Sequence, residues 1–154
     1  MRKTIFALLL LTTVCSAFKC NKEDAPVVCS SGPLVLKSLE SEYGCSNTPM
    51  QMHINLNNSY RLINTQAEFN SLVTGSCLPN IDFNQYTLLI GKQALTGGLQ
   101  NITYTALNDC NSNTQTVNVQ ITKNLALNAP NVTYHVLLPK VASTSSVQVN
   151  TTVN

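Results

Sequence analysis

From residue 50 onward, apolar and polar residues trade places at a period of two in one short segment after another. In "MQMHINL", Met50, Met52, Ile54 and Leu56 oppose Gln51, His53 and Asn55, as in a strand with one face buried. "YRLI", "QNITYTAL", "QTVNVQIT" and "NVTYHVLL" repeat the pattern, and in "SSVQVNTTV" Val147, Val149, Thr151 and Val153 share a face. "YTLLIG" (Tyr86 to Gly91) is apolar on both faces and reads as a central, covered strand. Turn residues punctuate these segments at Asn57-Asn58-Ser59, Gly97-Gly98, Asn111-Ser112-Asn113 and Asn128-Ala129-Pro130.

One helix is expected, after an N-cap at Asn64 or Thr65. Glu68 completes a capping box with Thr65, and Phe69 shares a face with Leu72 or Val73. "LVLKSLESEYGC" (Leu34 to Cys45) keeps neither period and is assigned no element. About seven short strands and one short helix make the chain mostly β, either an antiparallel sandwich or a β-rich α+β domain. The lack of βαβ alternation argues against a parallel nucleotide-binding sheet.

The start of the chain has a different character. Arg2 and Lys3 precede the apolar run "IFALLLLTTV" (Ile5 to Val14), which has the make-up of a secretory signal. A helical span needs about 20 apolar residues, so this run is too short to cross a bilayer. Cleavage after Ala17, which follows Cys15 and Ser16, would leave five cysteines and one unpaired thiol. Lipidation at Cys20 would leave Cys29, Cys45, Cys77 and Cys110, an even set for two disulfides; modification at Cys15 is a third reading. With Arg2, Lys3 and Lys19 removed, six basic groups face seven acids, so the basic balance belongs to the leader. No Lys/Arg stripe is left to follow phosphates, which argues against nucleic acid as a partner.

"CNKED" (Cys20 to Asp24) resembles the start of Bacteroidetes-type surface lipoproteins. In that family the cysteine carries the lipid, and a Lys-plus-acidic run such as Lys22, Glu23 and Asp24 directs export to the outer face of the outer membrane. The resemblance implies a signal peptide at 1–19, a lipidated tether at 20–33 and a single β-rich domain at 34–154, with the membrane as partner through the N-terminal lipid. More than one acyl chain on one anchor gives stable membrane residence, at roughly 0.8 kcal/mol per buried CH₂.

Within the domain, Cys45 and Cys77 flank the first hairpin and the helix and are expected to pair. Cys29 would then join Cys110, although four cysteines allow three connectivities. No two of these cysteines have metal-finger spacing, and neither metal nor cofactor is expected. Hydrolase and phosphate-loop signatures are absent. His53 and His135 each fall on the mainly polar face of a strand and read as exposed structural residues. Of the carboxylates, Glu40 and Glu42 lie in the unassigned segment, Glu68 reads as a cap, and Asp82 and Asp109 as turn residues.

"IDFNQYTLLIGKQALTGG" (Ile81 to Gly98), with the helix before it and the strands after, loosely resembles the PrcB C-terminal domain, through Gly91 and Thr96-Gly97-Gly98. The overlap spans roughly residues 60–140. That family is associated with stabilising secreted protease complexes, so the resemblance implies a protease partner met by the loop Leu95, Thr96, Gly97, Gly98, Leu99 and Gln100. The expected function is therefore a lipid-anchored, non-catalytic binding or accessory module. The alternatives are a protease-associated inhibitor or stabiliser and a small extracellular hydrolase.

Overall fold

A computed structural model of the chain describes residues 29–142 and 146–154. Cys15, Ala17, Cys20, Lys22, Glu23 and Asp24 lie outside the described residues. The elements run in chain order β1 (Gly32–Pro33), α1 (Leu39–Tyr43), α2 (Thr48–Gln51), β2 (Met52–Ile54), β3 (Ser59–Ile63), α3 (Gln66–Leu72), β4 (Val73–Gly75), β5 (Tyr86–Ala94), β6 (Gly98–Asp109), β7 (Thr114–Asn124), β8 (Asn131–Pro139) and β9 (Ser146–Val153). The fold is mostly β and sandwich-like, as the alternating segments require.

Two sheets face one another, and a third layer covers the outside of one of them. The central sheet has the order β3-β5-β8 and the outer sheet β1-β6-β7-β9. Between them, Leu89 of β5 and Tyr134, Val136 and Leu138 of β8 pack against Ala106 of β6 and Val117, Val119 and Ile121 of β7. On the other face of the central sheet, Leu88, Ile90 and Leu137 meet Leu39 of α1, Phe69 of α3, Met52 and Ile54 of β2 and Val73 of β4. Each fully buried aliphatic or aromatic side chain of this kind stabilises the fold by about 1.5–3 kcal/mol relative to exposure.

This third layer corrects several expectations. Among the described residues three helices form rather than one. α1 occupies the segment left unassigned: Ser38 caps it reciprocally with Ser41, and Gly44 ends it at φ 68°. α2 takes Met50 and Gln51 out of the expected first strand, because Pro49 starts a helical turn there. Thr65 does cap α3, accepting from the Glu68 N–H, but the Glu68 carboxylate turns to Arg61 at 2.9 Å instead of closing the box.

β8 departs furthest from its sequence pattern. Its alternation predicts one wet face, yet Val132 to Leu138 are all buried. Thr133 and His135 point into the helical layer and are accommodated by hydrogen bonds, with Thr133 Oγ1 donating to the Met52 carbonyl at 2.6 Å. β9 returns parallel to β7, while the other strand pairs among the described residues are antiparallel. The tether expected at 20–33 is shorter by its last residues: Cys29 is disulfide-bonded to Cys110, and Gly32 and Pro33 pair with Asn108 and Leu107. The second bridge, Cys45–Cys77, ties α1 to β4, so both expected pairings are present.

Candidate binding surface

Local chain geometry first marks the beginning of β6. Leu99 pairs with Lys123 but Asn101 pairs with Thr122, leaving Gln100 as an extra residue in the ladder. Such a bulge bends the strand and re-aims its side chain. Gln100 is exposed and lines three adjoining hollows. One is shared with Thr96, Lys123 and Leu125, another with Glu40 and Tyr104, and the third with Met50 and Pro130.

The loop Leu95–Gln100 thus lies at a concave end of the molecule, although only Thr96 and Gln100 in it are exposed. Leu95, Gly97 and Gly98 are buried because this turn is stitched to the β7–β8 loop. Leu95 N–H donates to the Pro130 carbonyl and Gly98 N–H to the Ala126 carbonyl, both at 3.0 Å. A Cβ at Gly98 would collide with the side chains of Asn124 and Ala126. Local packing therefore accounts for the glycine pair.

The β7–β8 loop carries the least expected feature. Leu125 and Leu127 are 100% and 101% exposed, as open as residues in an unfolded chain. Their backbone is nevertheless held in place: Ala126 N–H donates to Asn124 Oδ1 at 3.0 Å, and Asn124 Nδ2 donates to the Leu99 carbonyl at 3.1 Å. Met50, 42% exposed, lies at the neighbouring hollow. In "NLALNAP" the sequence pattern marks a turn at Asn128-Ala129-Pro130. The signal for an exposed apolar loop is the pair of leucines, Leu125 and Leu127, inside that turn segment, where no strand face can bury them.

A cleft of about 430 Å³ opens where α1 and α2 meet the first half of β6. His135 lies at its floor and is only 3% exposed, which corrects the expectation of a solvent-facing histidine; His53 is exposed as expected. The imidazole is gripped from several sides. Glu40 Oε2 lies 3.2 Å from Nε2, the Leu39 N–H donates to the same nitrogen at 3.3 Å, and Thr48 Oγ1 lies 3.4 Å from Nδ1. Thr48 also donates to Glu40 Oε1. The His135 N–H donates to Tyr104 Oη at 3.0 Å, so this β8 amide is satisfied by a side chain from the opposite sheet.

One nitrogen cannot serve both neighbours at once. With its proton on Nδ1 the ring accepts from Leu39 at Nε2 and leaves Glu40 Oε2 without a donor there; with a proton on Nε2 it donates to Glu40 and forsakes the amide. Burial pushes the Glu40 carboxyl up, but hydrogen bonds from His135 and Thr48, together with the charge of His135, outweigh it and hold the group at about 2. Burial drives the Tyr104 hydroxyl well above the usual range, so it stays neutral while its oxygen accepts from the His135 N–H.

The other carboxylates have structural partners. Glu42 pairs with Lys37 at 2.8 Å. Asp82 and Asp109 accept from the Asn84 and Asn111 amides at 3.0 Å, as expected for turn residues. Compared with known proteins, the chain matches no family model, no curated protein and no solved structure.

Proposed function

We propose that this chain is a lipid-anchored accessory protein of the bacterial outer-membrane surface, held through Cys20, whose β domain binds a protein partner without catalysis. The observation that carries the binding part is the polarity of the domain. Cys29 and β1 join it at the Asp109–Thr114 turn, while the bulge at Gln100 and the exposed Leu125 and Leu127 lie at the other end of β6 and β7. Twelve residues of extended β6 separate the two ends, roughly 35–40 Å at about 3.4 Å per residue. An anchor entering at one pole leaves the apolar loop free to face a partner. Two leucines held in water on a hydrogen-bonded loop cost little further ordering on binding.

The "CNKED" resemblance and the cysteine parity support the anchor. The burial of Thr48 supports the non-catalytic reading, since a fully buried hydroxyl cannot be presented to a substrate as a nucleophile. A second reading, stabilisation of a secreted protease, has support from the position of the Leu95–Gln100 loop at this same pole.

Two measurements test the proposal. Intact-mass analysis of membrane-extracted protein should show an acylated N-terminus at Cys20, whereas an unmodified chain beginning at Phe18 would refute the anchor. A photo-crosslinker at position 127 should yield a discrete protein adduct on living cells that one at position 111 does not. Equal labelling from both positions would refute the binding pole. A protease in the adduct selects the second reading.

A further inference from the structure

Resting on the reading that this pole meets a protein partner, we propose that the cleft beside Gln100 receives an organic cation, the ammonium or guanidinium head of a lysine or arginine side chain of that partner, with Glu40 as its counter-ion. Three observations lead there.

The first is charge. Glu40 is the one carboxylate lining the cleft, and among the described residues no lysine or arginine lines it. The nearest basic residue in sequence, Lys37, is engaged by Glu42 and stands 5.8 Å above the Tyr86 ring. Thr48 on Oε1 and His135 beside Oε2 hold Glu40 ionised down to a pH of about 2, and its side chain stays 35% exposed. The cleft therefore presents an ionised carboxylate that still reaches solvent, and a cation arriving at Oε2 would take the place of His135 Nε2, leaving that nitrogen to accept from the Leu39 amide alone.

The second is shape. Pro49, Leu99, Ile102 and the Tyr104 ring make the walls largely apolar, suited to the methylene stem of a long basic side chain whose head reaches the carboxylate. The ring of Tyr104 adds an aromatic face to the same walls.

The third is position. Leu99 and Gln100 line both this cleft and the hollow beside Met50, so a partner covering the apolar pole borders the cleft that holds Glu40.

The test is a titration of the isotopically labelled, disulfide-intact domain followed by NMR. N-acetyl-arginine amide and N-acetyl-lysine amide should produce saturable shifts centred on Gln100, Tyr104 and His135, while the uncharged isostere N-acetyl-citrulline amide should not. Glu40→Gln should weaken the arginine response at least tenfold. If that variant loses its dispersed spectrum, Ile102→Lys replaces it, because a tethered ammonium at the cleft mouth should block the titration. Equal response to citrulline, or none to either cation, would overturn the proposal. Putrescine binding more tightly than either amino-acid amide would overturn the assignment to a partner side chain in favour of a free polyamine. The crosslink from position 127 does not depend on Glu40, so its success alongside a silent cleft would reject this inference alone, and its absence would reject the binding pole itself.

Discussion

At the scale of single residues, Gly91 and Tyr134 show how one missing side chain makes room for another. They are directly paired across β5 and β8, and the Tyr134 ring lies where a Gly91 Cβ would stand. The ring is 2% exposed, and its hydroxyl accepts from Thr151 Oγ1 of β9 at 3.4 Å, so it also links the central sheet to the edge of the outer one. Gly91→Ala should destabilise the domain by about 1–3 kcal/mol through overpacking. In a Tyr134→Leu background the same change should cost much less, because the atoms it collides with are gone. Equilibrium urea denaturation of the four proteins in that cycle measures the difference directly. The reason for a glycine at this position is the ring across the strand.

At the scale of elements, α1 matters most. It is a single capped turn, too short to persist alone, and its docking depends on Leu39 in the core and on Glu40 against β8. The Glu40 carboxyl titrates at about 2 when folded, below its ordinary value of 4.5. Its contribution is therefore complete above pH 4.5 and is lost as the pH falls from there toward 2. Denaturation midpoints of the native protein and Glu40→Gln, measured between pH 7 and pH 2, should differ most above pH 4.5 and converge below it. A gap that stayed constant across that range would mean that the charge of Glu40 contributes nothing to holding α1. The segment "LVLKSLESEYGC" concealed this helix because only Leu39 of its five residues is buried, too few to impose a visible period.

At the scale of the whole molecule, the two disulfides restrain different parts of the chain. Cys45–Cys77 closes a separation of 32 residues around the helical layer, and Cys29–Cys110 closes one of 81, fastening the entry of the chain to the far end of β6. By the chain-entropy argument each stabilises the fold by about 4 kcal/mol, the longer loop slightly more. Replacing either pair by serine should lower the unfolding free energy by an amount of that order. Cys29→Ser/Cys110→Ser should in addition expose the first described residues to proteolysis while leaving the sandwich intact. Thermal melts and limited proteolysis read the two effects separately.

Several features of the protein were already written in one dimension. Period-two alternation specified β6, β7 and β9 because each of those strands keeps one face wet, and turn residues marked their ends. Cysteine parity suggested two bridges, since four thiols outside a reducing compartment tend to pair. Tertiary structure decided the rest. His135 follows the same alternation as an exposed residue, and only the third layer over β8 puts it in the floor of a cleft beside Glu40, which is 95 positions away in sequence. The parallel return of β9, the bulge at Gln100 and the exposure of Leu125 and Leu127 depend in the same way on which strand lies next to which. A local pattern records whether a residue has an apolar neighbour two places away; it carries no information about what a second or third layer will bring against it.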